Sequence, residues 1–136
     1  MGLFDWLFGK KEPIYGTITT TNGYYEGDLV DGKPHGNGVF LFNDGGRYEG
    51  QFKKGTMQGK GTMDYTVPSA GYRYEGEFVN GNRHGQGVYT FPSGNYYVGE
   101  FTNNEIHGKG ILYDPDGQPL QIGRWEHYRY IGNPPS

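Results

Sequence analysis

The chain has no cysteine among its 136 residues, which excludes a disulfide framework, a cysteine nucleophile and a thiolate metal site. Leucine, isoleucine and valine are scarce, and no apolar run approaches the roughly 20 residues that span a bilayer as a helix. The formal net charge is only −3, which argues against a nucleic-acid partner because such partners select a basic surface. No secretory signal pattern begins the chain, so we expect a cytoplasmic protein, with the inner face of a membrane as an alternative location.

Glycine and tyrosine are abundant instead, with 26 and 13 copies respectively. Average proteins contain roughly 7% glycine, and each glycine inside a helix costs about 1 kcal/mol relative to alanine. The aromatic content of 17% argues against a disordered chain. Short aromatic runs between Gly, Asn, Asp and Pro therefore predict strands joined by turns.

Four copies of one pattern follow one another along the chain. They read YEGDLVDGKPHGNG, YEGQFKKGTMQGKG, YEGEFVNGNRHGQG and YVGEFTNNEIHGKG, and they begin at Tyr25, Tyr48, Tyr74 and Tyr97. The starts are 23, 26 and 23 residues apart, and the longer interval contains an insertion around residues 66–70. Partial copies stand at residues 16–24 and 121–125. Tandem copies at a nearly constant period indicate a repeat protein.

The shared pattern, Y-x-G-x-(F/W/L)-x-x-G-x-x-x-G-x-G, resembles the MORN repeat (membrane occupation and recognition nexus) over about residues 16–125. The departures are Asn104 at the place of the mid-repeat glycine and Leu29 at the aromatic place. The resemblance implies an elongated, twisted stack of antiparallel hairpins with an aromatic groove. It also implies partner binding, end-to-end self-association or placement at a membrane.

Strand alternation explains the spacing within each repeat, because side chains alternate between the two faces of a sheet. In the third repeat Tyr74, Gly76 and Phe78 share one face, and Glu75 and Glu77 share the other. The aromatic face is predicted to form the core, and part of it could also line a groove for a ligand or peptide. Its candidate residues are Tyr25, Phe40, Tyr48, Phe52, Tyr74, Phe78, Tyr89, Tyr97 and Phe101.

The turns and glycines complete this prediction. Asp31-Gly32 and Asn80-Gly81 are pairs preferred in two-residue hairpin turns with positive φ. Glycines inside strands mark bends or close approach of another group. We therefore expect each hairpin to bend at its glycines, so that Tyr and Phe rings of adjacent units lie over bare backbone. The fold class is all-β, an elongated single-layer antiparallel stack of about ten strands.

A histidine recurs at one place in three repeats, and Gln58 stands there in the fourth. Equivalent residues of neighbouring repeats lie two strands apart, or roughly 9.6 Å, whereas zinc ligands lie about 2 Å from one ion. We therefore expect polar residues beside turns, and neither a metal nor a cofactor. The histidines are His35, His84 and His107.

Carboxylates form a row on the face opposite the rings. Paired carboxylates can perform acid–base chemistry, but no base or nucleophile accompanies this row, and the serines stand in turns or at the tail. We predict a solvated face and no catalytic residue. The row contains Glu26, Glu49 and Glu75, with Asp28, Glu77 and Glu100 beside it.

The first twelve residues differ in kind from the repeats. Positions 3, 4, 7 and 8 share one side of a helix, which predicts a short amphipathic helix in segment 1–12. Its apolar side could dock on a membrane surface, on the end of the array or in a groove of a partner. Asp5 and Glu12 offset its lysines, so attraction to anionic lipid is weak. The candidate docking residues are Leu3, Phe4, Trp6, Leu7, Phe8, Lys10 and Lys11.

Three functional hypotheses follow from these features. The first is a non-enzymatic scaffold or adaptor that binds an unknown protein partner and could self-associate through the ends of its array. The second is a peripheral membrane protein anchored by segment 1–12. The third is a regulatory subunit that holds a peptide in the aromatic groove. In each case the repeat array spans residues 13–125, and residues 126–136 form a tail that covers the last edge strand.

Overall fold

The computed structural model describes residues 11–65 and 72–133. These residues form β-strands and turns, and no helix occurs among them. The predicted N-terminal helix lies outside the described residues. The strands are β1 (Ile14–Thr19), β2 (Gly23–Val30), β3 (Lys33–Phe42), β4 (Arg47–Lys53), β5 (Thr56–Tyr65), β6 (Tyr72–Val79), β7 (Asn82–Thr90), β8 (Tyr96–Thr102), β9 (Glu105–Tyr113), β10 (Pro119–Glu126) and β11 (Arg129–Gly132).

All eleven strands belong to one open sheet in which each strand pairs with its neighbours in chain order. Every pairing is antiparallel. The prediction of an all-β antiparallel stack of hairpins is therefore confirmed. The tail forms β11, which pairs with β10 and is the last strand of the sheet.

Two-residue turns with positive φ close the hairpins of the repeats. Asp31 and Gly32 have φ of 52° and 73°, and Asn80 and Gly81 have φ of 49° and 82°. Positive φ at both central residues is the type I′ geometry, which matches the twist of the flanking strands. The turns predicted at these two dipeptides are confirmed. Lys54-Gly55, Asn103-Asn104 and His127-Tyr128 adopt the same geometry.

Ten glycines, one from each strand from β1 to β10, lie side by side across the sheet. They are Gly16, Gly27, Gly38, Gly50, Gly61, Gly76, Gly87, Gly99, Gly110 and Gly123. A Cβ atom added to Gly38 would lie 2.3 Å from the hydroxyl oxygen of Tyr25. The ring therefore lies over bare backbone, as predicted, but this glycine belongs to the ring's own hairpin rather than to an adjacent one.

The core is a ladder of aromatic rings that runs from repeat to repeat. Each phenylalanine of the ladder packs edge-to-face between the tyrosine of its own repeat and the tyrosine of the preceding repeat. Such pairs each contribute about 0.5–1.5 kcal/mol beyond the burial of their area. In order, the rings are Tyr25, Phe52, Tyr48, Phe78, Tyr74, Phe101, Tyr97 and Trp125, with centroids 4.9–5.4 Å apart.

The tyrosine of each full repeat also bonds to the backbone. The hydroxyl of Tyr25 donates to the carbonyl oxygen of Asp28, and that of Tyr74 to the carbonyl oxygen of Glu77, at 2.6 and 2.8 Å. Tyr48 and Tyr97 make the equivalent bonds at 2.7 and 3.0 Å. These side chains are fully buried, so the bond satisfies a hydroxyl that would otherwise be costly to bury.

Candidate interaction surfaces

The aromatic residues predicted from the repeats form the core of the sheet. Phe40 is partly buried, and the other eight are buried. These side chains therefore expose little surface to which a ligand could bind. A partner on this face would contact the partly exposed side chains around them.

Side chains in and beside the row of carboxylates have a structural role that the repeat pattern does not reveal. The fourth residue of each repeat accepts a backbone N–H of the next strand, at the β-bulge that follows the glycine pair. The acceptors are Asp28, Gln51, Glu77 and Glu100, and the donors are the N–H groups of Asn37, Lys60, Gln86 and Lys109, at 2.5–3.0 Å. Asp28, Glu77 and Glu100 therefore hold backbone groups of the next strand, a role beyond that of a solvated face.

We predict that Glu77→Ala destabilises the protein more than Glu75→Ala. Both side chains are exposed on the same face of the same strand, but Glu77 lies at the bulge and accepts the Gln86 N–H at 2.9 Å. A hydrogen bond to a charged group contributes about 1.5–3 kcal/mol to stability. Because Glu77 is exposed to solvent, we expect Glu77→Ala to lower the free energy of unfolding by only about 1 kcal/mol. Urea unfolding of both variants measures the difference. Equal losses would show that the bond at the bulge contributes nothing.

His35, His84 and Gln58 each accept a backbone hydrogen bond from the turn of the following repeat, and the ring of His107 packs against that of His127. His35 Nδ1 accepts the N–H of Lys54 at 3.2 Å, and His84 Nδ1 accepts that of Asn103 at 3.4 Å. Gln58 Oε1 accepts the N–H of Asn80 at 3.0 Å. Each donor is the first central residue of a hairpin turn. Within residues 11–65 and 72–133, no three His, Asp or Glu side chains gather as a metal site would require.

A groove of about 550 Å³ opens on the aromatic face at the C-terminal end of the sheet. Its apolar lining includes Phe91, Leu112, Trp125 and Tyr130. Trp125 is buried, and the ring of Tyr130 lies 5.2 Å from it. Phe91, Leu112 and Tyr130 are only partly buried. None of the four belonged to the predicted groove residues, although strand alternation places Phe91 on the same face as Tyr89.

Arg83 lies beside this groove, surrounded by tyrosines. Its Nη1 donates to the Tyr65 hydroxyl and its Nη2 to the Tyr128 hydroxyl, each at 2.6 Å. Its guanidinium carbon lies 5.2 Å from the centre of the Tyr89 ring. No carboxylate forms an ion pair with Arg83 among the described residues, and its Nε is buried without a partner there. The other full repeats have Pro34, Met57 and Ile106 at this place.

Of the docking residues predicted in segment 1–12, only Lys11 belongs to the part of the chain that the structure describes. Its Nζ lies 2.5 Å from an Asp31 carboxylate oxygen in the first hairpin turn, and both side chains are more than half exposed. Leu3, Phe4, Trp6, Leu7, Phe8 and Lys10 lie outside the described residues. No helix within 11–65 and 72–133 is long and apolar enough to cross a membrane.

Comparison with known proteins agrees with the repeat geometry. The family model of the MORN repeat matches residues 25–47, 48–66, 74–96 and 97–118. Alsin from Mus musculus and from Homo sapiens is each 36% identical to this chain over 59 residues. That stretch is 43% of this chain but only 4% of the mouse protein and 3% of the human protein. The chain therefore spans a small part of these relatives.

Proposed function

This chain belongs to the MORN-repeat family, whose repeats are non-catalytic modules of protein or membrane interaction, and we propose that it acts as a scaffold or adaptor. It would hold a peptide segment of a partner protein in the groove at the C-terminal end of the aromatic face. The observation that carries this proposal is that a groove of about 550 Å³ with partly buried apolar walls opens there, whereas the tyrosines and phenylalanines of the ladder are buried.

The size and lining of the groove favour a peptide anchored by an apolar side chain. Binding pockets are typically concave, mostly apolar and about 300–1,000 Å³ in volume, and this groove falls in that range. Phe91, Leu112 and Tyr130 supply apolar walls that remain partly exposed. A buried ring that stays buried adds nothing to binding, so these three are the residues that would gain contacts.

The charge beside the groove favours an acidic group in the partner. A guanidinium that is partly removed from water is costly without a counter-ion, and Arg83 has none among the described residues. Arg129 also lines the groove. A carboxylate of the partner would supply charge-assisted hydrogen bonds to these groups. We therefore expect a peptide that pairs an apolar anchor with a nearby Asp or Glu.

A random peptide library displayed on phage tests this proposal, because it requires no knowledge of the natural partner. Peptides selected on the unmodified protein should bind Phe91→Ser at least about tenfold more weakly, which corresponds to the loss of a single anchoring contact. Phe42→Ser is the matched control, because Phe42 holds the same place in the first repeat, outside the groove. Binding to this control should be unchanged.

Two outcomes would contradict the proposal. The first is that selection enriches no peptide on the unmodified protein, which would show that the groove binds none. Equal weakening by Phe42→Ser and Phe91→Ser would show that loss of stability, rather than loss of the anchor, lowers binding. Thermal melting of both variants separates this second outcome from a specific effect.

Membrane attachment through residues Leu3 to Phe8 stays a separate prediction. Lys11, at the end of that segment, lies near Asp31 in the first hairpin turn, at the opposite end of the sheet from the groove. An anchor there would leave the groove free for a partner, so the adaptor and membrane roles are compatible.

A further inference from the structure

One row of side chains crosses the face of the sheet opposite the aromatic core, and its chemistry changes along the array. Cross-strand pairing places these residues side by side on consecutive strands from β2 to β10. They are Glu26, Val39, Glu49, Thr62, Glu75, Val88, Val98, Ile111 and Ile122. The first five alternate between glutamate and a shorter side chain, and the last four are all apolar and β-branched.

The change occurs at equivalent places of the repeats. Val98 and Ile122 stand in the fourth repeat and the final partial repeat where the first three repeats have glutamate. They are 38% and 51% exposed. The rings of Tyr96 and Tyr113 extend the apolar area, since they stack on the same face with centroids 5.0 Å apart. An antiparallel sheet normally presents polar side chains on its solvated face.

We propose that this apolar area packs against the same area of a second copy of the chain. The back-face patch is defined here as Val88, Tyr96, Val98, Ile111, Tyr113 and Ile122. Contiguous exposed apolar surface on a soluble protein marks an interaction site. The contact would be isologous, with each copy presenting the same patch. This inference does not depend on the peptide groove, which lies on the other face.

The charges beside the patch favour a second copy as the occupant. Gln86, Glu100, Lys109 and Arg124 form the neighbouring row on strands β7 to β10. A two-fold axis parallel to the strands, between β8 and β9, places β8 of one copy over β9 of the other. Glu100 then faces Lys109 of the second copy, and Gln86 faces Arg124. Opposite charges across an interface fix its register.

The same axis keeps the acidic parts of the two sheets apart. It reverses the order of the strands, so the glutamates of the first three repeats extend in opposite directions from the shared patch. An axis perpendicular to the strands would place the glutamate rows over each other, which like charges disfavour. The patch therefore specifies one arrangement of the two copies.

The size of the patch predicts a weak dimer. Four strands at about 4.8 Å spacing and six residues at about 3.4 Å cover roughly 20 by 20 Å of sheet. Standard stable interfaces bury about 800 Å² per partner. We therefore expect an equilibrium between monomer and dimer that responds to protein concentration, rather than an obligate dimer.

Analytical ultracentrifugation of the full chain over a range of concentrations tests the proposal. Val98→Glu places in the patch the residue that the first three repeats carry, so it is compatible with the fold, and it should raise the dissociation constant at least tenfold. Val39→Glu makes the same change in the same row outside the patch, and it should leave the constant unchanged. A third variant, with Phe4→Ser and Leu7→Ser, should also leave it unchanged.

Each alternative gives a distinct result. A protein that sediments as a monomer at every concentration overturns the proposal. A dimer that survives Val98→Glu associates elsewhere, for instance through the edge strand β1 or β11. Loss of association in the Phe4→Ser, Leu7→Ser variant identifies the N-terminal segment as the occupant. Equal weakening by Val39→Glu shows a general effect of charge.

Discussion

Replacing Gly87 with alanine is expected to destabilise the protein by about 3 kcal/mol or more, the upper end of the cost of overpacking a core. A Cβ atom at this position would lie 2.4–2.6 Å from the ring and hydroxyl oxygen of Tyr74. The ring cannot move aside easily. It is fully buried, packs against Phe78 and Phe101 and donates its hydroxyl to the carbonyl oxygen of Glu77.

Gly16→Ala is the matched control for this substitution. Gly16 belongs to the same row of glycines but lies on the first strand, where an added Cβ would come close only to the side chain of Leu29. That side chain is flexible, so we expect a change within about 0.5 kcal/mol. Urea unfolding of both variants measures the contrast. Similar stabilities for the two would show that the tyrosine ring can leave its place over the glycine.

Alkaline pH is expected to unfold the protein cooperatively, because four of the eight rings in its core ladder are ionisable tyrosines. Burial raises the pKa of Tyr25, Tyr48, Tyr89 and Tyr97 to about 12, whereas tyrosine in an unfolded chain has a pKa of about 10. A raised pKa in the folded state means that the unfolded state releases the proton first. The stabilisation that comes from keeping these tyrosines protonated is complete below pH 10, and it is lost as the pH rises from about 10 to about 12.

Circular dichroism and the near-ultraviolet absorbance of tyrosinate, followed together against pH, test this expectation. The fold should be lost in the same range in which the buried tyrosines ionise. Tyr48→Phe removes one ionisable ring. Between about pH 10 and 12, the free energy of unfolding of this variant should therefore fall with pH less steeply than that of the unmodified protein, by about 1.4 kcal/mol per pH unit. Ionisation of all tyrosines near pH 10 with an intact fold would contradict the prediction.

The hairpins of this protein could be predicted because the sequence features that specify them are local. The Asp31-Gly32 and Asn80-Gly81 dipeptides specify turns by their own conformational preferences. The alternation around Tyr74 specifies which face is buried, since the side-chain period of a strand is two. Neither inference needs knowledge of what lies across the sheet.

The roles of polar side chains could not be predicted in the same way, because they depend on neighbours distant in sequence. Glu77 and Glu75 look alike in the sequence, yet only Glu77 bonds across the bulge. Arg83 contacts hydroxyls 18 and 45 residues away. Comparison of equivalent places in the repeats would have found Arg83 and Val98 as departures from the pattern, but not what they touch.

The bonds from His35, Gln58 and His84 to the turns that follow them give the array a polarity. Each of the first three repeats supplies an acceptor to the turn of the repeat that follows it. Removing a repeat from the C-terminal end leaves the bonds to the remaining turns intact, whereas removing one from the N-terminal end deprives the new first turn of its acceptor. Loss of structure at the N-terminal end therefore weakens the turn that follows it, whereas loss at the C-terminal end removes no acceptor from the turns that remain.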